Sequence, residues 1–179
     1  MKKRDLSRLD LEADDGGIRA VVETPLGSFN KYDYNPDLDL FEVRETLPRG
    51  SEFPFDFGFF PSTLGQDGDP VDALILSDRG LDMGTVVSTR IVGVIEFSDE
   101  KNGETIRNDR LIAVPLISIM YKKIETLEDL PTTLIDQIEA FFEQDAYFKG
   151  KKRKFLGRGD ARKAAALLAE GKALFKKNG

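Results

Sequence analysis

Three aspartates within six residues, Asp67-Gly68-Asp69-Pro70-Val71-Asp72, form the stretch of this chain best suited to chemistry. Two carboxylates ~4 Å apart repel by roughly 4 kcal/mol at an effective dielectric of 20, so three that converge call for a cation. Gly68 lets the loop turn tightly, and Pro70 stiffens it while removing an N–H that would need a partner. The same residue types also build solvated surface turns, and on spacing alone that reading stands beside the cation-binding one. A calcium loop of the helix–loop–helix type does not fit. It wants an acid or Asn at its fifth position, Gly at the sixth and Glu at the twelfth, where this chain has Val71, Asp72 and Asp78. Two further acidic groups are candidates: Asp99-Glu100, at the end of a long apolar run, and Asp109, just before another.

What the chain lacks narrows the chemistry. It contains no His and no Cys, which removes the usual near-neutral base, the thiolate nucleophile and the soft metal ligands. Catalysis must run on carboxylates, Lys, Arg, Tyr or metal-activated water, and the ligands available suit hard cations, Mg2+ or Mn2+. A net charge of −6 argues against nucleic acid or an anionic membrane as the main partner. The basic run Lys149–Arg158 holds six Lys or Arg in ten residues, with Phe155 as its one aromatic, and reads as a solvated connector. No stretch approaches the roughly 18 apolar residues of a membrane span, and no apolar segment follows the Lys2-Lys3-Arg4 start; a cytoplasmic location is the default expectation.

The elements that must position these groups follow from periodicity. At 179 residues, 40% hydrophobic and 32% charged, the chain suits one domain. Residues 1–17 are polar and end in Gly16-Gly17, predicting a flexible, charged N-terminal arm, with a single domain over 18–179. Alternation predicts strands from Ile18, over Phe29–Tyr34 and over Leu40–Glu45; apolar runs predict others at Ala73–Leu76, Val86–Phe97 and Leu111–Pro115. Gly93, midway through a run long for one strand, predicts a bend or bulge. Helical spacing comes late: Leu134, Ile138, Phe141 and Phe142 behind Pro131, then Asp160–Lys177 with Asp160 as N-cap. Strands first and helices last give an α+β domain, a curled antiparallel sheet with helices outside.

Asp-Gly-Asp-Pro-Val-Asp before an apolar strand resembles the signature of the family I inorganic pyrophosphatases. Glu23 ahead of Pro25, Lys31-Tyr32-Asp33, Phe41 with Arg44, Val92-Gly93-Val94, Asp99-Glu100, Leu130-Pro131 and Phe141-Phe142-Glu143 follow in the family's order, so the likeness spans roughly Ile18 to Phe175. It implies an OB-like, five-stranded antiparallel β-barrel with two main helices packed outside. It also implies a cytoplasmic homo-oligomer, a hexamer favoured, that hydrolyses pyrophosphate with Mg2+, Mn2+ being an alternative. By the same resemblance Asp67, Asp72, Asp99 and Asp109 hold metal, and Asp69 helps take a proton from the attacking water. Lys31, Arg44 and Arg110 hold phosphate, while Glu23 and Asp33 support the cavity.

The chain also departs from that pattern. Phe53 and Phe57 stand where the family has Tyr, Asp33 where it has Glu, and Asp145-Ala146 where it has Tyr-Lys. Asn108-Asp109-Arg110 replaces Asp-x-Lys. Strict register puts Asn108 at the metal position, and a one-residue bulge would bring Asp109 there, the ligand a hard cation prefers. Tyr147, Lys149 and Lys151 are candidates to replace the lost phosphate contacts. The alternatives are a related phosphohydrolase with a remodelled phosphoryl pocket acting on another phosphoanhydride, and a non-catalytic OB-like binding module.

Overall fold

The computed structural model describes residues 5–178. Its strands are β1 Ile18–Thr24, β2 Asn30–Asn35, β3 Leu40–Thr46, β4 Asp56–Phe59, β5 Asp72–Ile75, β6 Val86–Lys101, β7 Glu104–Arg107, β8 Arg110–Pro115 and β9 Arg153–Gly159. Helix α1 spans Thr132–Phe148 and α2 spans Ala161–Asn178. The pairings run β1-β4-β5-β8-β6 and return to β1, closing a five-stranded barrel; β7 and β9 extend it along β6, and β2–β3 form a separate hairpin. One seam corrects the antiparallel expectation: β5 and β8 are parallel, Asp72 beside Arg110 and Leu74 beside Ile112.

The middle strands are apolar without interruption because both of their faces are covered. Along β5 and β8 alternate residues enter different clusters. Leu74, Ile112 and Val114 join Phe53, Phe55, Phe57, Phe97 and the α1 residues Ile135, Ile138 and Phe142. Ala73, Ile75, Leu111 and Ala113 join Ala20, Val22, Phe60 and the α2 residues Ala164 and Leu168. Asp160 caps α2 as its position predicts, accepting the Lys163 N–H at 2.9 Å.

The bend expected at Gly93 is present. The β6–β8 register shifts between Ile91 and Gly93, and a Cβ there would lie 2.4 Å from the Leu127 side chain and 2.8 Å from the Gly159 carbonyl. Strand β6 runs past Asp99, and a two-residue turn, Asn102-Gly103 with both φ positive, sends the chain back as β7. Three strands were not expected from the sequence: β7, β4 within the Phe-rich run 53–60, and β9, which begins in the basic run 149–158, the segment expected as a connector.

The N-terminal segment also departs from its reading as a loose arm, so far as it is described; residues 1–4 lie outside the described residues. Leu6 and Leu11 are buried, the Arg19 N–H donates to the Leu11 carbonyl at 2.8 Å, and Arg19 Nη1 donates to the Asp10 carbonyl at 2.9 Å. Leu11 packs with Val22, Phe60 and Leu168. Polar composition concealed two apolar anchors. Leu11→Ala is therefore expected to lower stability by about 2–4 kcal/mol and the thermal midpoint by roughly 5–15 °C. A melting curve that did not move would mean the segment is not docked.

Candidate active site

The acidic loop bridges β4 and β5, and its own backbone folds it. The Gly65 N–H donates to the Asp69 carbonyl at 2.6 Å, the Asp69 N–H donates to Asp67 Oδ1 at 3.2 Å, and Gly68 takes φ +93°. The loop is tied to its surroundings by the Val71 N–H donating to Thr63 Oγ1 at 3.0 Å and by the Leu64 N–H donating to the Gly171 carbonyl of α2 at 3.0 Å. The six-residue stretch therefore has a defined shape at the mouth of the barrel.

Asp67, Asp69 and Asp72 line a cleft of about 350 Å3 together with Lys31, Asp33, Arg44, Asp99, Asn108 and Arg110. The hairpin β2–β3 supplies Lys31, Asp33 and Arg44, β8 supplies Arg110, and β6 supplies Asp99. Asp33 lies between two cations, 3.2 Å from Lys31 Nζ and 3.5 Å from Arg44 Nε. Arg110 is almost fully buried; its Nη1 pairs with Asp72 and donates to the Asn108 carbonyl at 2.9 Å. Its guanidinium lies 5.7 Å from the Phe57 ring centre and 5.0 Å from that of Phe142. Lys31 also lies over Phe57, at 5.7 Å. In this cleft Phe57 offers its ring face to two cations, which needs no hydroxyl.

Crowding among the carboxylates shows in their proton affinities. Burial pushes the Glu23 carboxyl up to about 8, against the Tyr34 N–H that it accepts at 2.7 Å, and the nearby charge of Asp33 raises it further. Asp67 is raised by burial and then by Asp72. Asp72 is raised by burial, with Arg110 and Lys31 opposing. Burial works against the Lys31 ammonium, but Asp33, Asp72 and Glu23 outweigh it and its pKa is raised. Partly buried oxygen ligands with unspent negative charge, as at Asp67 and Asp72, are what a hard divalent cation neutralises, so the Asp67–Asp69–Asp72 edge fits one in its chemistry. Among the described residues no three acidic groups already converge as a metal cage: Arg110 engages one oxygen of Asp72, and Arg153 holds Asp99.

Asp109 is not brought into this cleft. Arg107 Nη2 holds both its oxygens at 2.9 Å and the Phe97 N–H donates to Oδ1 at 3.2 Å, turning it toward a neighbouring groove behind the acidic loop. No bulge shifts the register, and Asn108 faces the cleft, its amide donating to Asp99 Oδ2 at 2.9 Å. Lys149 and Lys151 do line the cleft, whereas Tyr147 is exposed. Lys149 pairs with Asp145 one helical turn back and with Glu45 of the hairpin, so Asp145 positions a cation. Arg153 is a cleft residue that sequence reasoning missed, because a guanidinium inside a basic run carries no sign of which way it points.

Residues 20–176 match the model of the inorganic pyrophosphatase family. The chain belongs to that family. It is 37% identical to an inorganic pyrophosphatase of Thermus thermophilus over 87% of each chain, and 37% identical to one of Pseudomonas aeruginosa over 89% of this chain and 91% of the relative. Among solved structures, an inorganic pyrophosphatase from Thermus thermophilus superposes with a TM-score of 0.87 at 33% identity, covering 97% of this chain and 99% of its own. One from Helicobacter pylori gives 0.85 at 31%, covering 94% and 98%. Likeness over so much of both chains extends the pyrophosphatase fold to the closed barrel, the hairpin and both helices described above.

The raised Glu23 gives a pH-dependence with a definite sign. The folded protein keeps that proton up to about pH 8, while the unfolded chain releases it near the ordinary 4.5. Folding stability therefore falls as pH rises between those values. In metal-free protein, Glu23→Gln is expected to flatten this decline in denaturant midpoints measured from pH 5 to 8.5. Parallel declines in variant and parent would show that Glu23 is ionised throughout.

Proposed function

We propose that this chain hydrolyses pyrophosphate to two phosphates by attack of water, with divalent cations held at the acidic edge of the cleft. The observation that carries the reading is the mixed lining of that cleft: Asp67, Asp69 and Asp72 share a space of about 350 Å3 with Lys31, Arg44 and Arg110, and Arg110 pairs directly with Asp72. A small polyanion needs both halves, since carboxylates alone would repel it and cations alone would bind it without a means of activating water. Mg2+, with Mn2+ as a substitute, would neutralise the phosphoryl oxygens and lower the pKa of the attacking water.

The chain's own groups do the rest. Asp67 and Asp72 would hold the cation, and Asp69 would accept the proton of the attacking water. Lys31, Arg44 and Arg110 orient the phosphoryl oxygens; Asp33 holds the first two in place, and Glu23 fixes the hairpin through the Tyr34 N–H. We extend the reading to a cytoplasmic homo-oligomer, hexamer favoured, with no nucleic-acid or membrane partner. The exposed apolar residues Ile117, Ile119 and Met120 support a contact between copies. Among the described residues no helix is long and apolar enough to cross a membrane. A second substrate of the same chemistry, a longer phosphoanhydride, is favoured by the extra cations Lys149 and Lys151 along the wall.

Phosphate release from pyrophosphate is expected to vanish in EDTA and to return with Mg2+; full activity in metal-stripped protein would sink the mechanism. Asp69→Asn is expected to reduce kcat by about 10²- to 10⁴-fold with little change in the Mg2+ requirement, whereas Asp72→Asn should chiefly raise the Mg2+ concentration needed. A loss below tenfold in Asp69→Asn would assign the proton transfer to another group. Assaying tripolyphosphate beside pyrophosphate decides between the two substrates.

A further inference from the structure

The Asp99 carboxylate is bound by the chain itself. Arg153 stands directly across from it in the β6–β9 pairing. Nε donates to Oδ1 at 2.7 Å and Nη2 to Oδ2 at 2.6 Å, a two-pronged, charge-assisted contact. The guanidinium is 5.6 Å from the Phe97 ring centre, its Nη1 donates to the Phe142 carbonyl at 3.5 Å, and the side chain is only 5% exposed. The pair is set by backbone register and packing, and not by the reach of a surface side chain.

A second observation points the same way. Asn108 presents an amide to Asp99, donating to Oδ2 at 2.9 Å. A carboxylate at that position would have added negative charge beside Asp99 and called for more cation; the amide adds none and supplies another donor. Both oxygens of Asp99 are thus directed at N–H groups. A cation arriving there must break two charge-assisted hydrogen bonds and leave a buried guanidinium without its partner. At the other edge the balance differs. Asp67 is burdened by burial and then by the charge of Asp72, Asp72 by burial and by the charge of Asp69, and Arg110 engages one oxygen of Asp72.

Resting on the hydrolytic reading above, we infer that Arg153 takes the place of a divalent cation at Asp99. The cleft then loads metal along the Asp67–Asp69–Asp72 edge and carries a permanent guanidinium on the Asp99 side. Arg153 is a positioning residue in this role: it acts by occupying Asp99.

The test counts metal without substrate. Mn2+ is titrated into EDTA-treated, dialysed full-length protein, with stoichiometry read by calorimetry and free Mn2+ by electron paramagnetic resonance. Arg153→Gln is expected to bind one Mn2+ per chain more than the parent. Arg153→Lys, which keeps the charge, should retain the parent's count, as should the double variant Arg153→Gln with Asp99→Asn. Asp99→Asn alone should also leave the parent's count unchanged, and this arm stands even if Arg153→Gln fails to fold. An equal count in parent and Arg153→Gln, or loss of one Mn2+ in Asp99→Asn, overturns the inference and leaves the hydrolytic reading intact. No Mn2+ bound to any of the proteins overturns both.

Discussion

Like-charge crowding is the constraint to which the rest of this structure answers. The fold gathers Asp33, Asp67, Asp69, Asp72 and Asp99 at one end of a barrel, with Glu23 kept protonated beside them, where repulsion is felt through less water than at the surface. Four of the elements that meet there bring countercharges. The hairpin contributes Lys31 and Arg44, β8 Arg110, the end of α1 Lys149, and β9 Arg153. The aromatic residues serve the same end, since Phe57, Phe97 and Phe142 turn ring faces toward guanidinium groups that have little water of their own.

This cationic lining is uneven, and the unevenness gives the cleft its direction. On the Asp99 side charges are matched in pairs by hydrogen-bonded guanidinium. On the acidic-loop side Asp67 and Asp72 keep raised proton affinities, so a demand for cation remains. The separation also accounts for Asp109: one residue after the cleft-facing Asn108, in the short link between β7 and β8, it turns away from the cleft and satisfies Arg107.

The fold was legible where burial follows a simple period. The runs of β5, β6 and β8, the break at Gly93, and the Asp160 cap all announced themselves because each depends on residues adjacent in sequence. β4 and β9 did not, since Phe53–Phe60 offers no polar alternation and Lys149–Arg158 looks solvated throughout. The acidic loop was legible as a unit, as were Lys31, Arg44 and Arg110. The choice between Asn108 and Asp109 turned on a bulge that strand register decides, and Arg153 was hidden because its meaning comes from a partner on another strand. A charge reads as surface in sequence until pairing shows which way it faces.

The Asp99–Arg153 pair spans 54 positions of the chain. Synthesis runs from the N-terminus, so Asp99 leaves the ribosome well before the residue that neutralises it, and the strands of the barrel proper, ending at Pro115, are complete before β9 exists. A nascent chain at that stage has every barrel strand but lacks the guanidinium that faces Asp99. Docking of β9 along β6 then adds an edge strand and cancels a buried charge in one step. Assembly of the fold and completion of its electrostatics thus coincide, and a chain stopped short of β9 would lack both.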